Sequence, residues 1–290
     1  MNPLLQRLIS TGPVVADGAW GTQLQELASF TAECPDICTL SHPHDVEHIA
    51  RAYVEAGSQI VLTNTFGSNR VNLTRHGYAE KTREMNQHGV ALSRRAANGK
   101  ALVFGSMGPS GKMLVMGETN EEELSAAFAE QAAALKDAGA DGIAIETMTD
   151  LDEAKLAVAA AKQTGLPVVA CMAFDSGKDK DRTMMGVNPE QAAAGLEEAG
   201  ADVIGANCGQ GIEGFISICK RLRAATSLPL WIKPNAGLPT LSHGHAIYAT
   251  KPEEFGRYVP ELVKAGANFI GGCCGTNPEF IRAIAERVRT

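Results

Sequence analysis

The chain has 290 residues, 44% of them hydrophobic and 20% charged, and a formal net charge of −7. This is a globular composition with no basic stripe, so nucleic acid is not an expected partner. No stretch reaches about 18 uninterrupted apolar residues, so no membrane span is expected either.

The opening MNPLLQRLISTGPVVADG lacks the apolar core and small-residue cleavage site of an export signal. A cytoplasmic location is therefore expected, where the seven cysteines serve as thiols or metal ligands before disulfides. In chain order, strand candidates are PVVADGA (13–19), EAGSQIVLTNT (55–65), ALVFGSMG (101–108), DAGADGIAIET (137–147), PVVACMAF (167–174), EAGADVIGANC (198–208), PLWIKPNAG (229–237) and KAGANFIGGCC (264–274). Helical spacing of apolar residues marks 44–56, 121–138, 151–164, 189–199, 214–226 and 252–265. Thr119 and Glu122 have the spacing of a capping box for the 121–138 helix.

Four of the strand candidates, at 55–65, 137–147, 198–208 and 264–274, repeat one pattern: a charged residue, Ala-Gly, then an apolar run. The glycine reads as a left-handed helix stop, and the run as a buried parallel strand. Eight strands alternating with helices predict a (β/α)8 TIM barrel, one domain over residues 1–290. An open doubly wound sheet would alternate in the same way, but no G-x-G-x-x-G follows the first strand.

The repeats are the second, fourth, sixth and eighth strands. Seven residues past each repeat glycine stand Asn64, Glu146, Asn207 and Cys273; eight past stand Thr65, Thr147, Cys208 and Cys274. Polar and metal-binding residues thus share one depth at the strands' C-terminal ends, where active sites of this fold lie. Adjacent Cys273 and Cys274 would point to opposite faces of a regular strand. Gly271, Gly272 and Gly275 surround them, and are expected to bend the chain so that both thiols turn to one side.

Three thiolates with an open fourth position match the catalytic pattern of zinc. Such an electron-rich site suits a substrate thiol, held deprotonated and nucleophilic, and points to alkyl transfer to sulfur. Spacing alone leaves the packing alternative open, because free cysteine is among the most buried residue types. Cys171 and Cys219 are read as packing residues, and Cys34 with Cys38 as structural.

The motifs DGAWGT (17–22), TNTF (63–66), FGSMGPSG (104–111), IETM (145–148), GANCG (205–209), KPNAG (233–237) and GGCCGT (271–276) together resemble the homocysteine S-methyltransferase family. That family includes the homocysteine-binding module of cobalamin-dependent methionine synthase and betaine–homocysteine methyltransferase. The resemblance covers nearly the whole chain and is most specific in GGCCGT with its upstream Asn-Cys. It implies a (β/α)8 barrel, one zinc ion on Cys208, Cys273 and Cys274, and homocysteine sulfur in the fourth position. No catalytic group beyond the metal site is then expected. Asp17 and Glu146 match family positions around the substrate amine, and the N–H groups of Gly18 and Ala19 suit its carboxylate. Asn64, Asn207 and Asn235 also end strands, where they orient the site or cap loops. Trp20 departs from the methionine common in the cobalamin-dependent branch.

The implied activity is transfer of a methyl group from an activated donor to homocysteine, giving methionine. The chain runs out soon after its eighth strand and following helix, so the donor is expected to be a separate methyl-corrinoid protein or a small methylated compound. Rival readings are a corrinoid-pathway demethylase component using another thiol, a non-catalytic zinc-binding protein, and a phosphate-binding lyase with GGCCGT as its phosphate loop. Around the mouth, 105–111 reads as a tight turn, 175–183 as a solvated charged loop, and 238–252, with His243 and His245, as a long loop of lid type.

Overall fold

The repeat glycines Gly57, Gly139, Gly200 and Gly266 all hold left-handed backbone, with φ of 114°, 91°, 94° and 107°. Each ends a helix and turns the chain into a strand, a conformation a residue without Cβ adopts at least cost. The computed structural model describes residues 2–27, 34–242 and 245–288. The strands are β1 (Val14–Val15), β2 (Ile60–Leu62), β3 (Leu102–Met107), β4 (Gly142–Met148), β5 (Val168–Met172), β6 (Val203–Gly211), β7 (Leu230–Asn235), β8 (Pro239–Ser242), β9 (His245–Tyr248) and β10 (Ala267–Ile270).

Eight of them form one parallel sheet in the order β1-β10-β7-β6-β5-β4-β3-β2. The seam between β1 and β2 is joined by Gln59 N donating to Val15 O at 2.8 Å. Side chains complete it: Gln59 Oε1 accepts from Val15 N at 3.0 Å, and Asp17 Oδ2 accepts from Leu62 N at 2.8 Å. The result is the nearly closed (β/α)8 barrel that the alternation predicts. β8 and β9 form a separate antiparallel hairpin after β7.

Helices Pro43–Ala56, Thr82–Ala97, Glu121–Asp137, Leu151–Lys162, Pro189–Glu198, Ile212–Ala225, Pro252–Lys264 and Pro278–Arg287 follow the barrel strands in turn. Pro278–Arg287 is the helix expected after the eighth strand, whereas Thr82–Ala97 is absent from the sequence reading. The inward face of Thr82–Ala97 carries Thr82, Asn86, Gly89 and Ser93 beside Met85 and Val90. These small and polar residues blur the apolar stripe, and they are buried because Asn86 Nδ2 donates to Ser68 O and Ser93 Oγ to Leu62 O. The expected capping box also shifts: Asn120 is the cap of Glu121–Asp137, accepting from Glu123 N at 2.9 Å, while Thr119 Oγ1 donates to the Glu123 carboxylate.

Inside the barrel, Ala16, Ile60, Leu62, Ala144, Val169, Cys171 and Val203 pack around Trp231. That indole stacks on Phe104 and Phe269 at centroid distances of 6.3 and 5.3 Å, contacts of about 1 kcal/mol each beyond area burial. Leu5, Leu8 and Ile9 of helix Pro3–Ile9 join the same cluster. Among the described residues no helix is long and apolar enough to cross a membrane.

Candidate active site

The strands bring three thiols together at the C-terminal mouth. The Sγ atoms of Cys208, Cys273 and Cys274 lie within 4.8 Å of one another, with Cys208 and Cys274 3.9 Å apart. Cys208 reaches this point through a left-handed backbone, φ 61°, in a chain of L-residues that pays about 1–2 kcal/mol for it. Thr147, at the same repeat position on β4, has the same φ of 61°. Asn207 holds that kink, its Oδ1 accepting from Thr147 N at 2.7 Å and its Nδ2 donating to Thr147 Oγ1 at 2.7 Å.

Consecutive Cys273 and Cys274 share the site because the chain leaves the strand after Ile270, although the glycines act differently from the expectation. Only Gly275 has a positive φ, 78°. Gly271 and Gly272 are needed for close approach: a Cβ at 271 would stand 2.6 Å from Asp17 O, and one at 272 would stand 2.3 Å from Thr276 Oγ1. The segment stays pinned to its neighbours, with Gly272 N donating to Asp17 O, Cys273 N to Pro234 O, and Ala236 N to Cys274 O.

Contact with Cys273 pulls the Cys208 thiol down, while Cys274 and burial push it up, to about 11. Cys274 is pulled down by Cys208 and pushed up by Cys273 and burial, to about 12. Cys273 is pushed above the ordinary thiol range, first by Cys208 and then by burial. Thiols with such values stay protonated at neutral pH, and a divalent cation is the partner that converts them to thiolates. Nearby on β7, the buried Asn235 Oδ1 has no hydrogen-bond partner among the described residues. Three converging sulfurs with an orphaned oxygen at the same end of the barrel fit a soft divalent metal ion.

Beside the sulfurs lies a cavity of about 330 Å³ lined by Gly18, Ala19, Asn64, Glu146, Asn207 and Lys233 among others. Glu146 Oε1 accepts from Ser106 Oγ at 2.8 Å. Burial pushes its carboxyl up, Lys233 opposes this, and Asp17 adds to it. Asn64 lines the wall while its Nδ2 donates to Pro35 O at 3.0 Å. Ala19 N donates to Thr276 Oγ1 at 3.2 Å, so of the two amides considered for a carboxylate it already has a protein acceptor.

Asp17 is fully buried and does not line the cavity. Its Oδ1 is 2.7 Å from Lys233 Nζ, and its Oδ2 accepts from Leu62 N at 2.8 Å and Trp20 Nε1 at 2.9 Å. Trp20 therefore joins the rim to the floor. Asn235 likewise lies off the cavity wall. Lys233 escapes the sequence reading, although a lysine inside the apolar run LWIKPN was a signal, since a buried charge needs a partner. Burial pulls its ammonium down, but Asp17, Glu146 and Cys273 outweigh it and hold it above the ordinary lysine range.

Cys171 packs inside the barrel and Cys219 in the outer core. Cys34 and Cys38 are buried beside the 3-10 turn Pro35–Ile37. The 175–183 loop is tied to the surface through Asp181, which pairs with Arg221. In the 238–252 segment the β8–β9 hairpin brings Tyr248 over Gly275, where any Cβ would meet its ring. His243 lies outside the described residues.

A family model described as homocysteine S-methyltransferase matches residues 14–288. Methionine synthase of Mycobacterium leprae is 35% identical over 99% of this chain, and that of Mycobacterium tuberculosis 34% over 97%. The chain spans about a quarter of the length of these curated relatives, 25% in each case. The metallated form of the homocysteine methyltransferase MmuM from Escherichia coli superposes with a TM-score of 0.83 at 24% identity, covering 99% of this chain and 100% of that one, which establishes the shared fold. With the family match extending from β1 to the last helix and carrying the three converging cysteines, the chain belongs to the homocysteine S-methyltransferase family.

Proposed function

We propose that the 290 residues act as one homocysteine-binding barrel that methylates a thiol at the Cys208–Cys273–Cys274 site, with homocysteine as acceptor and methionine as product. The observation that carries this reading is the convergence of three sulfurs within 4.8 Å at the edge of a cavity of about 330 Å³ that also exposes the Glu146 carboxylate. The cavity's sulfurs suit a thiol and its carboxyl an ammonium, the two groups of an amino-acid thiol.

Cys208, Cys273 and Cys274 would hold one zinc ion. Bound there, zinc supplies a Lewis-acid position at which a substrate thiol is deprotonated at neutral pH. The chain's own residues then bind and orient. Glu146 takes the ammonium, Asn207 keeps β4 and β6 in register at the sulfurs, and Phe66 and Trp20 wall the cavity. Holding the thiol and the donor methyl at contact distance supplies much of the acceleration, by converting an encounter into a local event. The donor belongs to one of two classes, a methylated corrinoid or a small methylated compound.

The test is methionine formation from homocysteine by zinc-loaded protein, with S-methylmethionine, a betaine and methylcobalamin supplied in turn. Product with at least one donor, lost in Cys208→Ala, is the expected result. Product persisting in a Cys208→Ala protein that holds no zinc would refute the reading.

A further inference from the structure

The buried cation of the site is unusual in having two carboxylates and no role in holding the sulfurs. Lys233 Nζ lies 2.7 Å from Asp17 Oδ1 and 3.6 Å from Glu146 Oε2, with side-chain exposures of 2% for the lysine, 0% for Asp17 and 10% for Glu146. The two carboxylates are not equivalent. Asp17 accepts from three groups, Lys233 on one oxygen and Leu62 N and Trp20 Nε1 on the other, and it stands off the cavity. Glu146 is on the cavity wall, and among the described residues its Oε2 has only the longer lysine contact.

Two buried carboxyl groups thus share one lysine, and the one on the cavity wall holds it at the longer distance. Cys171 from β5 and Cys273, just beyond β10, also act on Glu146, and neither sulfur carries positive charge. Lys233 is therefore the positive group acting on Glu146 from the surrounding strands.

We propose that Lys233 is the positioning residue that gives the site its preference for amino-acid thiols: anchored on Asp17 at 2.7 Å, its ammonium lies 3.6 Å from Glu146 Oε2 and holds that carboxyl at the cavity wall, where it meets the substrate's α-ammonium. This rests on the thiol-methylation reading and deepens it. Without the lysine, Glu146 Oε2 loses its contact and burial pushes the carboxyl further up, with the Ser106 hydroxyl left to oppose this, so the ammonium acceptor is weakened. A thiol substrate with no amine would notice little.

The experiment compares binding of homocysteine and of its deamino analogue, 4-mercaptobutanoate, to zinc-loaded wild type and Lys233→Met. Wild type should prefer homocysteine by about 100-fold, the size of a buried charge-assisted contact. Lys233→Met should reduce that preference to about threefold or less, mainly through weaker homocysteine binding. Because removing the partner of the buried Asp17 destabilises the single variant, the double variant Asp17→Asn/Lys233→Met is measured beside it. If the lysine served only to pair Asp17, the double variant would regain the preference; the proposal requires that it stay lost. A wild-type preference retained by either zinc-loaded variant would overturn the proposal. Wild type that holds zinc yet binds neither thiol would instead defeat the thiol-methylation reading itself.

Discussion

Asn207 grips Thr147 at both ends, accepting from its backbone N and donating to its hydroxyl, each at 2.7 Å. The pair joins β6 to β4 at the point where both strands turn left-handed, and Asn207 Nδ2 also approaches Cys273 Sγ at 3.7 Å. One amide therefore couples a kink in β4, the Cys208 kink beside it in the chain, and a sulfur from β10.

Asn207→Ala should lower unfolding free energy by about 2 kcal/mol, because a backbone N–H at the kink loses its acceptor. Zinc affinity should fall with it, since Cys208 loses the neighbour that holds its backbone. Denaturant midpoints and competition with a chromophoric chelator measure the two effects, and an unchanged midpoint would show that the Thr147 kink is held by something else.

Removing one sulfur should abolish metal binding. Metal analysis is expected to find one zinc per chain in wild type and none in Cys208→Ser or Cys274→Ser. A strong chelator should lower the melting temperature of wild type and leave both variants unmoved, because a ligand bound only to the native state stabilises it.

Gly271→Ala tests the close-approach reading. The new Cβ would lie 2.6 Å from Asp17 O, a backbone atom that cannot rotate away. A loss of about 2 kcal/mol is expected, within the range for overpacking, together with weaker zinc binding as Cys273 is displaced. Gly21→Ala meets nothing within 4 Å, so its stability should match wild type.

Asp36 gives a pH signature. It is 5% exposed, and its Oδ1 accepts from Gly67 N and Ser68 Oγ, both at 2.8 Å. Burial raises its carboxyl from 3.8 to about 6, with Ser68 and Gly67 acting in the opposite direction. The native state therefore keeps a proton that the unfolded chain has released between pH about 4 and 6. Its stabilising contribution is complete below that window and is lost as pH rises through about 6. Asp36→Asn should gain on wild type by up to about 3 kcal/mol from pH 4 to pH 7. Urea titrations of both proteins across that range check this; a constant difference would place the Asp36 carboxyl near its ordinary range.

Much of the barrel was legible because its signals are local. A glycine after a helix and an apolar run after the glycine recur at Gly57, Gly139, Gly200 and Gly266, and counting from them sets Glu146, Asn207, Cys208, Cys273 and Cys274 at one depth. Helix Thr82–Ala97 was hidden because its buried face is partly polar, and polarity at those positions is tolerated only through acceptors supplied by distant carbonyls.

The amino-acid sequence by itself determined the strand rhythm, the depth of the candidate residues and the three cysteines as a set, because backbone preference and hydrophobic period act over a few neighbours. Only the tertiary structure decided that Gly271 and Gly272 serve close approach, that Asp17 turns away from the cavity, and that Lys233 stands between Asp17 and Glu146. Buried charge and steric contact depend on atoms brought together from positions as distant as Asp17 and Lys233 or Asp17 and Gly271, and no local pattern encodes which of them will meet.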